Sequence, residues 1–561
     1  MRYLEHHADL CVVGGGMAGL AAALAARRGC RVVLMQDRPV LGGNASSEIR
    51  MWIGGAHGKD NRETGICEEL FLENFYQNPS LRYSLWDATL YGAAIQEKNL
   101  KLLLNCTCQK AETEADRIVS VTGWQLNTET YHTVYATNYA DCSGDSVLAP
   151  LTGAPVMYGR EAKSEYGESI PPDKADRKTM GMSCLFQVRE TDHKTEFIPP
   201  KWAYTFPTDD DIPFRGHDLD SNFWWIELGG EADCIHDTDE CRDELLKIVY
   251  GVWDHVKNRG DHGADNWELE WIGFLPGKRE SRRYIGAYVV NENDVRAAGK
   301  FPDVIAYGGW SMDDHFPQGF YYKEGHPTIY HPAPSPWGIP YRALYGTAYT
   351  NLMFAGRNIS VTHSALSSCR VMATCAMLGQ ALGTAAAVMK EDGSTPATVN
   401  VSKLQSYLLE DDCMLPGLTR TVSPLTLSAH TDTPILCNGK DRGEENLWIG
   451  PAGSRLGYRF DRPEKIRTVR LIFDSDLNRN YHNMPCAYPL KEERFRLPKT
   501  LIRTYTLVFA HADGSETRMQ VTENHQRFVR HAVEETVTGV YLIPESTWGS
   551  PDCRIFSFEV Q

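Results

Sequence analysis

Gly14, Gly16 and Gly19 form a GxGxxG pattern inside the opening run ADLCVVGGGMAGLAAALAARRGCRVVLMQD, between an apolar strand and an Ala-rich helix that leads into a second apolar strand. In such a unit the first glycine permits a tight turn, the second lets backbone approach a pyrophosphate, and the third lets helix and strand pack closely. The helix opens at Met17 and Ala18, where unpaired N–H groups and the positive dipole end favour phosphate charge. The pattern predicts dinucleotide binding. The second strand runs out into Gln36 and Asp37. An acidic residue is usual there to bond a ribose hydroxyl; Gln can make the same bond, and both residues are expected at the nucleotide.

Acid–base chemistry has three imidazole candidates. In GGWSMDDHFPQG, Asp313 and Asp314 precede His315 on a stretch that Gly and Pro mark as a loop. A neighbouring carboxylate raises a histidine pKa and fixes its tautomer, so His315 suits a general acid or base. A structural loop and a metal site are the other readings of that triplet. The ligands are adjacent and lack a further spaced partner, and no metal site is expected. His363, in SVTHSAL, competes with His315, and His57, in WIGGAHG, comes third. Among the cations, GKRESRRYIG holds Arg279, Arg282 and Arg283. It reads either as a solvated turn with internal ion pairs or as a bidentate anion site. Arg342 and Arg370 complete the cations expected near a cofactor, and Arg342 joins His315 and His363 as a catalytic candidate.

The elements that must position these groups come next. After the second strand a simple NAD domain proceeds to another helix, whereas here RPVLGGNASSEIRMWIGG places a loop centred on Gly42, Gly43 and Asn44. At this point the sequence resembles the FAD-dependent oxidoreductases of the large family that includes fumarate reductase flavoproteins and many uncharacterised bacterial FAD proteins. YATNYADCSGD (Tyr135 to Asp145) resembles the family's second strand motif. NLMFAGRNISVTHSALSSCRVMATCAMLGQALGTAAAV (Asn351 to Val388) resembles its C-terminal motif. The resemblance implies FAD as cofactor, with Asp141 and Gly144 returning to it and Gly356 and Arg357 ending a strand near the flavin. It also implies that a helix from about Arg370 points its N-terminus at the ring, and that the His363 loop lies close by. Reduction of a flavin places negative charge around N1 and C2=O, which Arg357, Arg370 or a helix N-terminus would stabilise. No second GxGxxG stands in a strand–helix context, so tight NAD(P)H binding is not expected.

Composition bounds the rest. With 57 Lys plus Arg against 73 Asp plus Glu in 561 residues, the net charge of −16 excludes a basic nucleic-acid-coating surface. The 15 cysteines form no CxxC pair, and the spacing of Cys106 and Cys108 reads as incidental. Mostly reduced thiols and an N-terminus without an export pattern lead to a cytoplasmic expectation. The nearly uncharged run from Val371 to Met389 is rich in Ala, Gly and Thr rather than Leu, Ile and Phe, and predicts a buried helix rather than a membrane span.

The expected fold class is α/β. A discontinuous Rossmann-type FAD domain (1–155 and 345–412) receives an inserted α+β substrate domain (156–344) and is followed by an all-β sandwich (430–561). The sandwich rests on alternating strands such as RTVRLIFD and TYTLVFA, a DG turn at Asp513 and Gly514, and GVYLIPES. It resembles discoidin or galactose-binding-like domains, in which Trp448 and Trp548 would stack on a glycan or merely pack. Three functions stay open: hydride transfer between a polar carbon substrate and flavin, with a carbohydrate hydroxyl as the single best guess; reduction of an activated C=C bond with arginines holding a carboxylate; and a flavin-containing glycan-binding protein without catalysis. The first two call for a small-molecule substrate and an external electron acceptor or donor. The sandwich would serve a glycan, the enzyme or a homo-oligomer.

Overall fold

The computed structural model describes residues 1–491 and 496–561. The chain forms two compact units: residues 1–56, 81–404 and a short return at 482–491 make the first, and residues 57–80, 405–481 and 496–561 the second.

The first unit is organised by a seven-stranded sheet. Arg2–Val13 pairs in parallel with Val32–Met35 on one side and with Thr130–Asp141 on the other. Leu100–Leu103 extends the parallel set beyond Val32–Met35, and Leu352–Phe354 adds to Thr130–Asp141. Two antiparallel strands, Arg117–Gln125 and Cys106–Glu114, continue the sheet. The sequence VVLM is buried throughout, as a parallel strand covered on both faces requires. The register has a direct consequence for function. Val13 stands opposite both Met35 and Asp141, and Asp141 stands opposite Phe354. Four strands therefore stop at one level, and the segments that follow them emerge along one edge, where open α/β sheets bind ligands.

The helix Met17–Ala23 is buried along its whole length. The late Ala/Gly-rich run packs against it. This run is divided into a short helix His363–Cys369 and a long one Met372–Asp392, so the helix expected from about Arg370 starts two residues later and Arg370 sits in the joint. Ala373 to Met389 are buried within the unit, which accounts for the run's apolar composition. A Cβ on Gly379 would sit 2.0 Å from the Ala18 carbonyl oxygen, so only glycine allows the two helices this close.

Residues between 156 and 344 lie in this same compact unit. They form short antiparallel pairings around the helix Thr238–Asn258, including Phe186–Glu190 with Trp267–Ile272 and Met312–His315 with Thr328–His331. Within FWWIEL only Glu227–Leu228 is strand; Phe223, at the start of the run, adopts a left-handed backbone. Asp313 and His315, expected on a loop, are strand residues.

The second unit carries one six-stranded antiparallel sheet. Its two long strands, Leu456–Phe473 and Phe528–Thr547, pair through two register shifts, and the hairpin Ile502–Ala510 with Glu516–Val521 turns at Asp513 and Gly514. Leu72, from the helix Ile66–Gln77, joins its core beside Leu471, Phe509 and Phe558. Buried guanidiniums are paired here: Arg527 Nε donates to Asp412 Oδ2 at 2.8 Å, and Arg479 forks onto Glu68 at 2.8 and 2.5 Å.

The helix contact gives a test. Gly379→Ala should destabilise the protein by on the order of 1–3 kcal/mol through overpacking. Thermal unfolding measures this, and an unchanged midpoint would contradict the close approach.

Candidate active site

A cavity of about 460 Å³ opens at the edge where the parallel strands end. Each strand contributes the residues just beyond its end: Gly14 to Ala18 from the first, Gln36 to Arg38 from the second, Cys142 to Asp145 from Thr130–Asp141, and Gly356 with Arg357 from Leu352–Phe354. Gly42, Gly43 and Asn44 line it too, as do Arg370 to Met372 at the joint of the late helices. Stretches separated by more than three hundred residues thus meet in one cavity.

The lining fits a dinucleotide. A Cβ built on Gly16 meets nothing nearer than Gly43 Cα at 3.9 Å, so bare backbone borders a space that a side chain would fill. Met17 and Ala18 belong to the first helical turn, whose N–H groups have no partner within the helix. Arg357 supplies a cation, ion-paired with Asp145 and donating to Ser281 Oγ at 2.9 Å. Lys278 also holds Asp145, at 2.9 Å. Burial opposes ionisation of Asp145, but Arg357 and Lys278 outweigh it and keep its carboxyl well below the usual range.

A second group of lining residues forms an ion network. Glu227 Oε2 lies 2.6 Å from His315 Nδ1, and Asp313 Oδ2 lies 3.2 Å from His315 Nε2. Arg370 Nη2 donates to Asp313 Oδ2 at 3.2 Å, while Arg279 Nη1 stands 3.5 Å from Glu227 Oε2. Burial lowers the His315 pKa, but the Glu227 and Asp313 carboxylates outweigh it and raise it above the ordinary value. With a carboxylate on each ring nitrogen, the imidazolium form of His315 is favoured, and in that form both N–H groups are engaged. Two donors on this wall make no hydrogen bond, Arg279 Nη1 and Arg370 Nε. Trp52, Trp224 and Trp310 complete the wall.

His363 repeats the arrangement away from the cavity. Its Nδ1 meets Glu280 at 2.9 Å and its Nε2 meets Asp314 at 3.1 Å. Burial alone lowers its pKa, yet Glu280 and Asp314 carry it up to about 10.

Comparison with known proteins accords with this geometry. The profile of the family described as FAD dependent oxidoreductase matches residues 9–408. The chain belongs to that family. This FAD-dependent oxidoreductase takes FAD as its cofactor. No curated protein matches it in sequence. Among solved structures it is similar to a geranylgeranyl bacteriochlorophyll reductase-like protein from Thermoplasma acidophilum, at 12% identity over 73% of this chain and 85% of that one, TM-score 0.33. It is similar to p-nitrophenol 4-monooxygenase from Pseudomonas putida, at 11% identity over 73% and 86%, TM-score 0.32. A family 32 carbohydrate-binding module from Streptococcus pneumoniae is similar at 12% identity over 24% of this chain and 94% of that one, TM-score 0.19.

Several residues singled out in the sequence of the oxidoreductase stand elsewhere. Arg342 does not line the cavity: its guanidinium pairs with Asp303 at 2.9 and 3.1 Å and lies over the Tyr288 ring. His363 is likewise off the wall, held between its carboxylates. Asp141 is fully buried beneath the cavity, where it accepts from Ser143, Leu148 and the Tyr284 hydroxyl and so shapes the Cys142–Asp145 turn. Gly19 packs helix on turn, as a Cβ there would sit 1.8 Å from the Gly14 carbonyl oxygen. Gln36 lines the cavity, but its amide is spent on backbone, accepting from Gly15 N at 2.6 Å and donating to Val40 O at 3.2 Å. Asp37 lines the cavity with its side chain exposed. His57 belongs to the second unit. Sequence reading passed over Arg38, which lines the cavity directly after Asp37 and was legible as a cation at the second strand's end. It also passed over Glu227, 88 residues from its partner His315, for which no local signal exists.

Gly16→Val should abolish FAD binding, because the side chain would occupy the bare cradle; stoichiometric flavin absorbance in the purified variant would contradict that placement. The histidine networks set a pH dependence. A folded-state pKa raised from 6.5 to about 10 means that the His363 network contributes fully below about pH 6.5 and is lost as the pH climbs toward 10. Wild-type protein should therefore lose thermal stability across that window more steeply than His363→Gln; parallel curves would remove the assignment.

Proposed function

We propose that this FAD-dependent oxidoreductase acts on a small carbon substrate bearing a carboxylate, and that its reaction is reduction of a C=C bond activated by that carboxylate. The single observation that carries this reading is the placement of two guanidiniums, Arg279 and Arg370, on one wall of the cofactor cavity, each with a buried nitrogen, Arg279 Nη1 and Arg370 Nε, that makes no hydrogen bond. Arg279, Arg370 and the His315 imidazolium face two carboxylates, Glu227 and Asp313, which leaves one positive charge uncompensated for an anionic ligand. Bound FAD would supply hydride chemistry. Gly14 to Ala18 and Arg357 would hold it, and Arg279 and Arg370 would bind the substrate carboxylate and draw charge from the alkene. His315 acts in this reading as a fixed cation that orients Asp313 and Arg370 rather than as a base.

The second reading, oxidation of a carbohydrate hydroxyl, is favoured by Trp52, Trp224 and Trp310, whose flat faces suit a sugar ring. Against it, alcohol oxidation calls for a base, and the carboxylates on both ring nitrogens favour the protonated form of His315. A glycan role for the second unit gains little from its tryptophans: Trp548 donates its indole N–H to Asn524 O at 2.7 Å, and Trp448 packs on the sheet core. The free cysteines support a reducing compartment, and we retain the cytoplasm as the proposed location.

Anaerobic half-reactions separate the two chemistries. Chemically reduced enzyme should be reoxidised by unsaturated carboxylic acids, and Arg370→Lys should weaken that substrate by about 10-fold or more while leaving FAD bound, because the ammonium cannot reproduce the guanidinium fork. Bleaching of oxidised enzyme by neutral sugars, with no response to unsaturated acids, would overturn the reductase reading.

A further inference from the structure

Away from the cofactor cavity, three imidazoles and a carboxylate converge beside the end of the helix Thr238–Asn258. We propose that His217, His255, His262 and Asp209 form a binding site for one divalent transition-metal ion of the zinc class.

The geometry is that of a ligand set. One ligand atom from each of the four residues lies within 4.8 Å of every other. Asp209 Oδ1 stands 3.1 Å from His255 Nε2 and 3.6 Å from His262 Nε2. Four ligands at the usual Zn–N and Zn–O lengths sit roughly 3.4 Å apart along the edges of a tetrahedron, which the two Asp209 separations already match, while the widest of the set would draw in around the ion. The three rings face one another at centroid distances of 4.8 to 4.9 Å and cross at 46 to 84°, so they converge without stacking.

The hydrogen bonds point the same way. His255 Nδ1 lies 2.8 Å from the Phe206 carbonyl oxygen, which fixes the ring and turns Nε2 toward Asp209 Oδ1 at 3.1 Å, where a metal ion would displace the proton of that hydrogen bond. A backbone carbonyl on the far nitrogen is the usual partner of a metal-bound imidazole. The Nε2 atoms of His217 and His262 are buried and make no hydrogen bond. Three imidazole nitrogens and a carboxylate oxygen gathered around one point are a donor set that a divalent cation of the zinc class takes.

His255 is nearly inaccessible and His262 mostly so, whereas the Asp209 side chain is 74% exposed. The three histidines form the fixed part of the site, and Asp209 is the exchangeable ligand at its mouth. The ion would clasp the 209–217 segment to the helix end. That segment also carries Arg215, whose buried guanidinium donates to Gly319 O, Tyr322 O and Gly325 O, in the stretch that follows His315. The site is therefore a structural clasp on a segment adjoining the catalytic wall rather than part of the redox centre.

The test uses untagged, FAD-loaded full-length protein stripped with a chelator and titrated with Zn(II) against a chromophoric competitor. One ion per chain is expected, and the bound ion should raise the unfolding temperature. His217→Ala and His262→Gln should each weaken Zn(II) on the order of 100-fold or more, with flavin content and far-UV circular dichroism unchanged to show that the variants fold. X-ray absorption of the Zn(II) form should give a nitrogen/oxygen shell with three imidazoles. Equal Zn(II) affinity in wild type and both variants, no uptake by the stripped wild type, or a sulfur-containing shell would each overturn the proposal.

Discussion

The parallel register of the central sheet is the constraint on which the rest of the first unit depends. Once Val13 is opposite Met35 and Asp141, and Asp141 opposite Phe354, the four following segments have no choice of edge. A slip of one residue would reverse the faces of a whole strand and misplace its terminal turn. Asp141 ties this register to the cavity: buried at the end of its strand, it accepts from Ser143 and Leu148 and folds the turn that presents Gly144 and Asp145. A carboxylate in that position is a scaffold for the site rather than a contact within it.

The second organising feature is the treatment of buried charge. His315 and His363 each sit between two carboxylates, and in each the cationic form is favoured because removing either partner's charge from water is offset only by close opposite charge. Their surroundings give them different places in the molecule. The His315 network lines the cavity through Arg370 and Arg279, whereas Glu280, Asp314, Arg283 and His363 lie off its wall. The metal-class cluster is a third case: three imidazoles gathered around one exposed carboxylate. Together these arrangements separate a redox cavity, a stabilising ion core and a clasp within a single unit.

What was legible in the sequence was what local rules govern. The glycine turn after an apolar strand, the Gly42–Asn44 loop and the buried nature of the late helix follow from residue types at short spacing, and the strand-ending Gly356–Arg357 from the resemblance of its segment to a family motif. The DG hairpin of the second unit does as well. FAD followed from those motifs. Side-chain destinations did not. Nothing near Arg342 in sequence announces Asp303 as its partner, and nothing near His315 announces Glu227. A histidine beside two aspartates reads as a poised base until a third carboxylate arrives from a distant strand.

The amino-acid sequence by itself determined the nucleotide-binding turn and the alternation of strand and helix, because each depends on backbone freedom and hydrophobic period over a few residues; FAD came from the resemblance of three motifs to a known family. Only the tertiary structure decided which cations line the cavity, which histidines are closed between carboxylates, and which histidines converge beside Asp209. Those outcomes depend on distances between groups tens to hundreds of residues apart, and a buried charge takes its protonation state and its role from whichever partners folding delivers to it.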